Sequence, residues 1–191
     1  MPDEPTVPQR TIIFSGPISQ NATKILRNLC CTAVAQKIQK LTIQFASEGG
    51  SVGDGFALYA FLKSLPVELT MHNTGWVGSI ANVVFLAGTR RLASPHAAFL
   101  LHNLGWRVST PTTVTSGTVH EEEMMLTSER ERIKLVFKLN TQMSQLALES
   151  PDFFKEPQIY EPAAAKAAGI IHEVQDAAIP SGESVVNVDW S

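Results

Sequence analysis

The stretch GWVGSIANVVFLAG, residues 75–88, decides how this chain is interpreted. It follows VELTMHN (67–73), a segment whose composition predicts a strand. A single hydroxyl group, on Ser79, stands between a glycine-containing turn and an apolar run that predicts a helix. A serine at such a place is either the N-cap of the helix or a nucleophile that uses the free N–H groups at the helix start. Other parts of the sequence bear on that choice.

The composition fits one domain that associates with copies of itself. With 191 residues the chain has ordinary single-domain size, and 44% hydrophobic residues are enough for a core. Only 17% of the residues are charged, which is low for a lone monomer and favours burial in an oligomer. The net charge of −3, without any lysine- or arginine-rich run, argues against a nucleic-acid partner.

The N-terminal sequence and the cysteines predict a cytoplasmic protein. The start, MPDEPTVPQR, is polar, carries prolines and lacks the apolar segment of a signal peptide, so we expect a flexible arm over residues 1–10. No run approaches the roughly 18 apolar residues of a membrane span, so no membrane partner is expected. Cys30 and Cys31 are neighbours in a helical pattern, which suits neither a disulfide nor a metal site.

Strand-like and helix-like patterns alternate up to residue 103. This alternation predicts a parallel-type sheet with helices outside it. Ser19 is placed to cap the first helix, Asp54 to begin the second and Ser79 to open the third. The predicted strands are TIIFSG (11–16), LTIQFAS (41–47), VELTMHN (67–73), RRLAS (90–94) and AAFLLHN (97–103).

The pattern changes after residue 103. Residues 105–119 are rich in Thr, Ser and Val and predict an extended excursion from the core. Residues 120–150 predict one long helix with acidic residues in its first turn and a broad apolar stripe. This helix is longer than the sheet requires, so we expect it to project and pack on a neighbouring subunit. A short helix (161–169) and a last strand (170–174) follow.

Two further features favour a catalytic role for Ser79. The turn EGGSV (48–52) places two glycines after a strand, where the backbone can approach a ligand and present N–H groups. His102 ends an otherwise apolar strand, and a histidine titrates near neutral pH, as the base for a serine nucleophile must. Taken singly, the glycines fit a tight turn and the histidine a structural role, so the signal lies in their combination.

In this order, the segments FSGPIS, ASEGGSVGDGFALY, GWVGSIANVVFLAGTRRLASPHAAFLLHN and AAAKAAGIIHEV resemble the ClpP-type serine peptidases, the proteolytic subunits of Clp proteases. The resemblance covers roughly residues 11–174. Its most specific parts are the GGSV turn, the serine before an apolar helix, and the histidine 23 residues later. It implies an α/β fold, a ClpP/crotonase-like spiral of β-β-α units with a protruding handle. Residues 11–191 would form one domain, with the handle at about 105–150.

The resemblance also implies roles for the matching residues. Ser79 would attack the scissile carbonyl, and His102 would take its proton and deliver it to the leaving amine. The backbone N–H groups of Gly49 and Ile80 would form the oxyanion hole. Gly50 would support this turn beside an extended substrate, which would lie along the handle as an added strand.

The chain departs from the family pattern at three places. The family's third catalytic residue is an aspartate, but counting back from Gly169 reaches Pro157, which cannot serve. Glu156 is therefore our predicted third member, and Asp152 is its nearby alternative. Glu48 stands where the family usually has a proline before the two glycines. The N-terminal arm is shorter and more polar than the axial segment through which typical relatives contact an unfoldase.

The remaining residues with chemical potential add less. Trp76 and Trp106 flank the predicted site in sequence, and each would either line a substrate pocket or pack in the core or an interface. The other histidines show no metal-ligand spacing, so neither a metal nor another cofactor is expected.

The predicted function is that of a serine endopeptidase that cleaves peptides or unfolded proteins through an acyl-enzyme, in a homo-oligomer of stacked rings. An ATP-driven unfoldase partner would be a separate chain, because this sequence has no G-x-x-x-x-G-K-[ST] loop. Two alternatives stay open. One is a catalytically impaired scaffold subunit of such a ring, and the other is a crotonase-like acyl-CoA enzyme.

Overall fold

Strands from most of the chain form one sheet in this computed structural model, which describes residues 7–103, 105, 116–150, 153–154 and 156–188. The strands are β1 (Gln9–Ser15), β2 (Lys40–Ser47), β3 (Glu68–Gly78), β4 (Arg90–Ala93), β5 (Ala98–Leu101), β6 (Gln158–Tyr160), β7 (Glu173–Val174) and β8 (Ser184–Asn187). The order across the sheet is β6-β5-β3-β2-β1-β8, with β4 beside β3 and β7 beside β4. Every pair is parallel except β5 with β6.

Helices connect the parallel strands, as the alternating sequence pattern predicts. Ser19 caps the first helix by accepting from the N–H of Ala22 at 3.3 Å. The second helix begins at Val52 rather than at Asp54, because Ser51 is its cap and accepts from the N–H of Asp54 at 3.3 Å. The helices are α1 (Gln20–Ala35), α2 (Val52–Lys63), α3 (Ala81–Phe85), α4 (Ser116–Asn140), α5 (Gln145–Glu149) and α6 (Pro162–Ala167).

Aromatic side chains fix the sheet and the helix that follows Ser79. Phe14 and Phe45 are paired in register on β1 and β2, and their rings stack at 5.1 Å. Phe85 at the end of α3 meets Phe99 of β5 edge to face at 5.1 Å. All four side chains are fully buried. The second pair therefore anchors α3 against β5, on either side of the predicted site.

Strand β3 is longer than the predicted VELTMHN and pairs with two strands in succession. Its first half (Thr70–Asn73) lies beside β4, and its second half (Trp76–Gly78) lies beside β5. The glycine-rich segment that the sequence indicates as a turn is thus a strand, because β5 supplies a hydrogen-bonding partner for it. The register with β2 shifts between Phe45 and Ser47. As a result β2, β3 and β5 end at the same edge of the sheet.

The single helix predicted over residues 120–150 is wrong, because the chain forms α4 and α5 with a break between them. The side chains of Asn140 and Thr141 bond back to the carbonyls of Val136 and Phe137, at 2.7 Å each. Such bonds compete with continuation of the helix. After the break, Ser144 caps α5. The predicted excursion over 105–119 lies outside the described residues except for 105 and 116–119, and the latter belong to α4.

Two strands were not predicted from the sequence. Strand β6 lies between Pro157 and Pro162, and β8 comes after the last predicted strand. At the other end, β1 begins at Gln9, two residues inside the predicted arm, and residues 1–6 of that arm lie outside the described part. Among the helices that the structure describes, none has the length and hydropathy needed to cross a membrane.

Candidate active site

Ser79 lies on a strained turn between β3 and α3. Its φ is +54°, in the left-handed region that residues other than glycine rarely adopt. The N-cap of α3 is Ile80, and no side chain of the described residues caps this helix. The helix begins two residues after Ser79, where the sequence predicted that Ser79 opens it. The interpretation of the Ser79 hydroxyl as a helix cap is therefore wrong. A strained non-glycine residue needs surrounding structure that holds it, and such residues cluster at functional sites.

Hydrogen bonds hold this turn against the end of β5. The N–H of Ser79 donates to the carbonyl of Leu100 at 3.0 Å. The side-chain amide of Asn82 donates to the carbonyl of Ser79 at 3.0 Å and to that of Leu100 at 2.9 Å. Asn82 is only 1% exposed. This residue was not predicted from the sequence, although a lone amide within the apolar run IANVVFLAG is the signal that could have revealed it.

Gly49 approaches Ser79 so closely that a side chain would not fit. A Cβ atom on Gly49 would lie 2.7 Å from the Cβ of Ser79 and 2.9 Å from the carbonyl oxygen of Gly78. It would also lie 3.4 Å from the backbone nitrogen of Ile80. Gly49 has a φ of +102°, which also requires glycine. The structure thus brings together three of the predicted site residues, the serine and both predicted oxyanion donors.

The two glycines of the turn use their backbone groups differently. The N–H of Gly49 donates to Ser47 Oγ at 3.1 Å, and the carbonyl of Gly49 accepts from Ile18 at 2.8 Å. Gly50 forms a parallel bridge with Ile18, in which the bonds are made by the carbonyl of Gly49 and the N–H of Ser51. The N–H of Gly50 takes part in neither bond. A Cβ on Gly50 would lie 2.2 Å from the Ile18 carbonyl, so this position also needs glycine.

His102 directly follows β5, the strand that lies parallel to the end of β3. The pairing of Gly78 with Leu100 puts the residues after both strands at the same edge of the sheet. Ser79 and His102 are both half-buried. Among the described residues no hydrogen bond joins their side chains. Bonds between catalytic side chains often tighten only when substrate binds, so the shared edge is the relevant geometry.

Strand β6 carries Glu156 to the same edge from the other side. It runs antiparallel to β5, and Leu101 is paired with Gln158. Continuing this register places the exposed Glu156 next to the residue after His102. The described residues give Glu156 no hydrogen bond to His102. Trp106 and Asp152 lie outside the described residues.

A cavity of about 290 Å³ opens beside the glycine turn. It is lined by residues 15–17 at the end of β1, by residues 46–48 at the end of β2, and by Trp76 of β3. The sequence left open whether Trp76 lines a pocket or packs in the core or an interface. In the structure Trp76 borders a cavity beside the site. Glu48 contributes the charged side chain of this lining.

The arrangement has the parts of an acyl-transfer site. A hydroxyl is held on a strained turn, backbone N–H groups lie near it, and a histidine ends the neighbouring strand. Such a set can form a covalent acyl intermediate and stabilise the oxyanion that precedes it. A serine presented on a sharp strand-to-helix turn is the same device that α/β-hydrolases use.

Comparisons with known proteins identify the family and the fold. The family model described as Clp protease matches residues 5–178. Proteolytic subunit 1 of the ATP-dependent Clp protease of Chlamydia trachomatis is 29% identical over 131 residues, 67% of this chain and 68% of that protein. Subunit 3 from Rhizobium etli is 32% identical over 139 residues, 71% of this chain and 66% of that protein. The solved structure of a ClpP1 point mutant from Listeria monocytogenes superposes with a TM-score of 0.75, at 21% identity, over 88% of this chain and 92% of that one.

Proposed function

The chain belongs to the Clp protease family, with the α/β, ClpP-like fold that the sequence predicts, and on this premise we propose that it is a serine endopeptidase acting through Ser79. The observation that carries the proposal is the φ of +54° at Ser79, on a turn just before a helix that no described side chain caps. A hydroxyl that only capped a helix would need no strained backbone. A nucleophile gains from the strain, because it is lifted out of the strand toward the substrate.

The proposed reaction uses Ser79, His102 and the backbone N–H groups beside Ser79. Ser79 Oγ attacks the carbonyl carbon of the scissile bond while His102 takes its proton. The tetrahedral intermediate collapses, the C–N bond breaks, and His102 returns the proton to the leaving amine. Water, deprotonated by His102, then attacks the acyl-enzyme. The C–O bond to Ser79 Oγ breaks, the acid product leaves, and His102 returns the proton to Ser79 Oγ. Glu156 remains our proposed third member, orienting the imidazole.

The oxyanion donors are the N–H of Ile80 and one N–H of the glycine turn. Gly49 is the predicted residue, but its N–H already donates to Ser47. The N–H of Gly50 is free of the bonds that hold the turn to Ile18. We therefore assign the second donor to the Gly49–Gly50 turn, with Gly50 as the residue whose N–H is available without breaking those bonds.

Ring assembly is part of the same proposal and rests on α4. Within this 25-residue helix the buried side chains are Ile133, Val136 and Phe137. Met124, Met125 and Leu139 are 55–70% exposed, more than a surface helix of a monomer requires. We propose that they pack on a second copy, in a handle over about 105–150 of one domain spanning 11–191. Native mass spectrometry of Leu139→Glu should then show smaller assemblies than the wild type. Gln39→Glu is the control, because it adds the same single charge at an exposed residue outside the handle.

The relatives from Chlamydia and Rhizobium are named as proteolytic subunits of ATP-dependent proteases. By analogy we propose an ATP-driven unfoldase as a separate partner chain and unfolded proteins as its substrates. The cytoplasmic location remains a prediction that goes with this role.

Labelling with a fluorophosphonate probe, read by intact mass, tests the proposal. We expect one adduct on the assembled wild type and none on Ser79→Ala or His102→Ala. The control is Ser94→Ala, because Ser94 Oγ lies 3.4 Å from His72 Nε2 in a second, buried serine–histidine contact. This variant should label like the wild type. An unlabelled wild type would contradict the peptidase proposal and favour the scaffold role.

A further inference from the structure

The cavity beside the glycine turn has a mixed lining. Its walls include Gly16, Pro17, Ala46 and the indole of Trp76, all without formal charge. The charged lining group is the carboxylate of Glu48, which is exposed and forms no salt bridge among the described residues. At about 290 Å³ the cavity is at the lower end of ligand sites, which run from about 300 Å³, and it suits one side chain rather than a whole small molecule.

This cavity is continuous with the predicted catalytic turn. Glu48 directly precedes Gly49, which packs against Ser79. Gly78, just before Ser79, lies close to both Trp76 and Glu48. A Cβ there would be 3.1 Å from Trp76 Nε1 and 3.1 Å from the carbonyl oxygen of Glu48. The missing side chain at position 78 therefore lets the indole lie close to the turn. The cavity therefore adjoins the turn that would hold the scissile bond.

A cavity that combines apolar surface with one carboxylate fits a particular kind of side chain. Lysine and arginine have apolar stems and a cationic head, so the stem can lie on Pro17 and Ala46 while the head meets Glu48. The indole of Trp76 adds attraction for a cation placed over its face. An acidic side chain would be repelled by the same carboxylate.

We propose that this cavity is a specificity subsite for a lysine or arginine of the substrate and that Glu48 selects the charge. The inference rests on the proposed peptidase function and names a preference within it. Because the carboxylate contacts the substrate before and during reaction alike, its effect falls on KM rather than on kcat.

The experiment uses one cleavable peptide in which each position around the scissile bond carries lysine, norleucine or glutamate in turn. For the wild type we expect one position where lysine gives about fivefold higher kcat/KM than norleucine, the size of an exposed ion pair. Glu48→Gln should reduce this ratio to near one through KM, and Glu48→Lys should favour glutamate at the same position. Higher salt should weaken the wild-type preference.

The matched control is Glu68→Gln, which removes the same charge at the opposite end of β3. The exposed ion pair of Glu68 with Lys40, at 3.8 Å, contributes little to stability. The Glu68→Gln protein should therefore keep the peptide preference of the wild type. Fluorophosphonate labelling of all variants separates the two proposals. Normal labelling without a lysine preference, or with one that Glu48→Gln leaves intact, overturns the subsite alone. Absent labelling of the wild type overturns the peptidase function and the subsite with it.

Discussion

The backbone N–H of Ser79 donates to the carbonyl oxygen of Leu100 at 3.0 Å, which ties the proposed nucleophile to the strand that ends at the proposed base. The side chain of Asn82 strengthens this tie, since its amide bonds to the carbonyls of both residues. The relative position of Ser79 and His102 is thus set by backbone bonds and by one buried amide.

Asn82→Asp should disturb the site more than its small change in size suggests. A carboxylate cannot donate to the two carbonyls, and a buried, unpaired charge costs several kcal/mol unless it is protonated. We expect fluorophosphonate labelling to slow at least about tenfold and the melting temperature to fall. Asn82→Ala brings no charge, so its labelling rate and melting temperature should lie between those of Asn82→Asp and the wild type. Equal labelling rates in all three proteins would contradict a positioning role.

Gly49→Ala should remove activity through the backbone. The added methyl would lie 2.7 Å from the Cβ of Ser79 and 2.9 Å from the Gly78 carbonyl, and the φ of +102° is strained for alanine. Strain of this kind costs about 1–3 kcal/mol, so we expect a lower urea midpoint and no probe adduct. Gly53→Ala is the control, because a Cβ there would meet no described atom within 4 Å apart from its chain neighbours and the backbone of its own helix. A labelled, fully stable Gly49→Ala protein would show that the turn does not abut the serine in solution.

Periodicity and turn residues predicted the alternation of strands and helices because these are local signals, and the resemblance carried by the motifs predicted the family. The roles of the site residues stay predictions. The sequence pattern missed β6 and β8 because both are short and gain their stability from neighbours distant in the chain. It also missed the extension of β3 through Trp76–Gly78, where pairing with β5 overrides glycine's low strand propensity. The left-handed backbone of Ser79 has no local signature, since serine rarely adopts it.

Only one of the two adjacent cysteines should react in the folded protein. Cys30 is fully buried, and burial together with the neighbouring Cys31 raises the pKa of its thiol to about 12. Cys31 is exposed. Since the thiolate is the reactive form, iodoacetamide at pH 8 should add one group to the native protein and two to the unfolded one. Cys31→Ser should then give no native adduct, and rapid native labelling of that variant would contradict the burial of Cys30.

The folded protein should lose stability as the pH falls below about 6.5, because of His72. This side chain is 3% exposed, and its Nε2 donates to the carbonyl of Gln175 at 3.1 Å. Burial lowers its pKa below the ordinary 6.5, an effect that Arg90 reinforces and that the bond to Gln175 and the charge of Asp176 oppose. The unfolded chain therefore binds more protons between the two pKa values, so stability is complete above pH 6.5 and declines as the pH falls toward the folded pKa.

Urea unfolding between pH 8 and pH 5 measures this decline, which for one proton cannot exceed about 1.4 kcal/mol per pH unit. His72→Gln keeps a donor for Gln175 but cannot titrate, so the slope should become smaller. His172 adds a contribution of the same sign, because burial and then Arg91 and Arg90 lower its pKa as well. His172→Gln should reduce the slope separately, and the double variant should be the flattest. A His72→Gln protein with the wild-type slope would show that His72 is not the group whose protonation opposes folding.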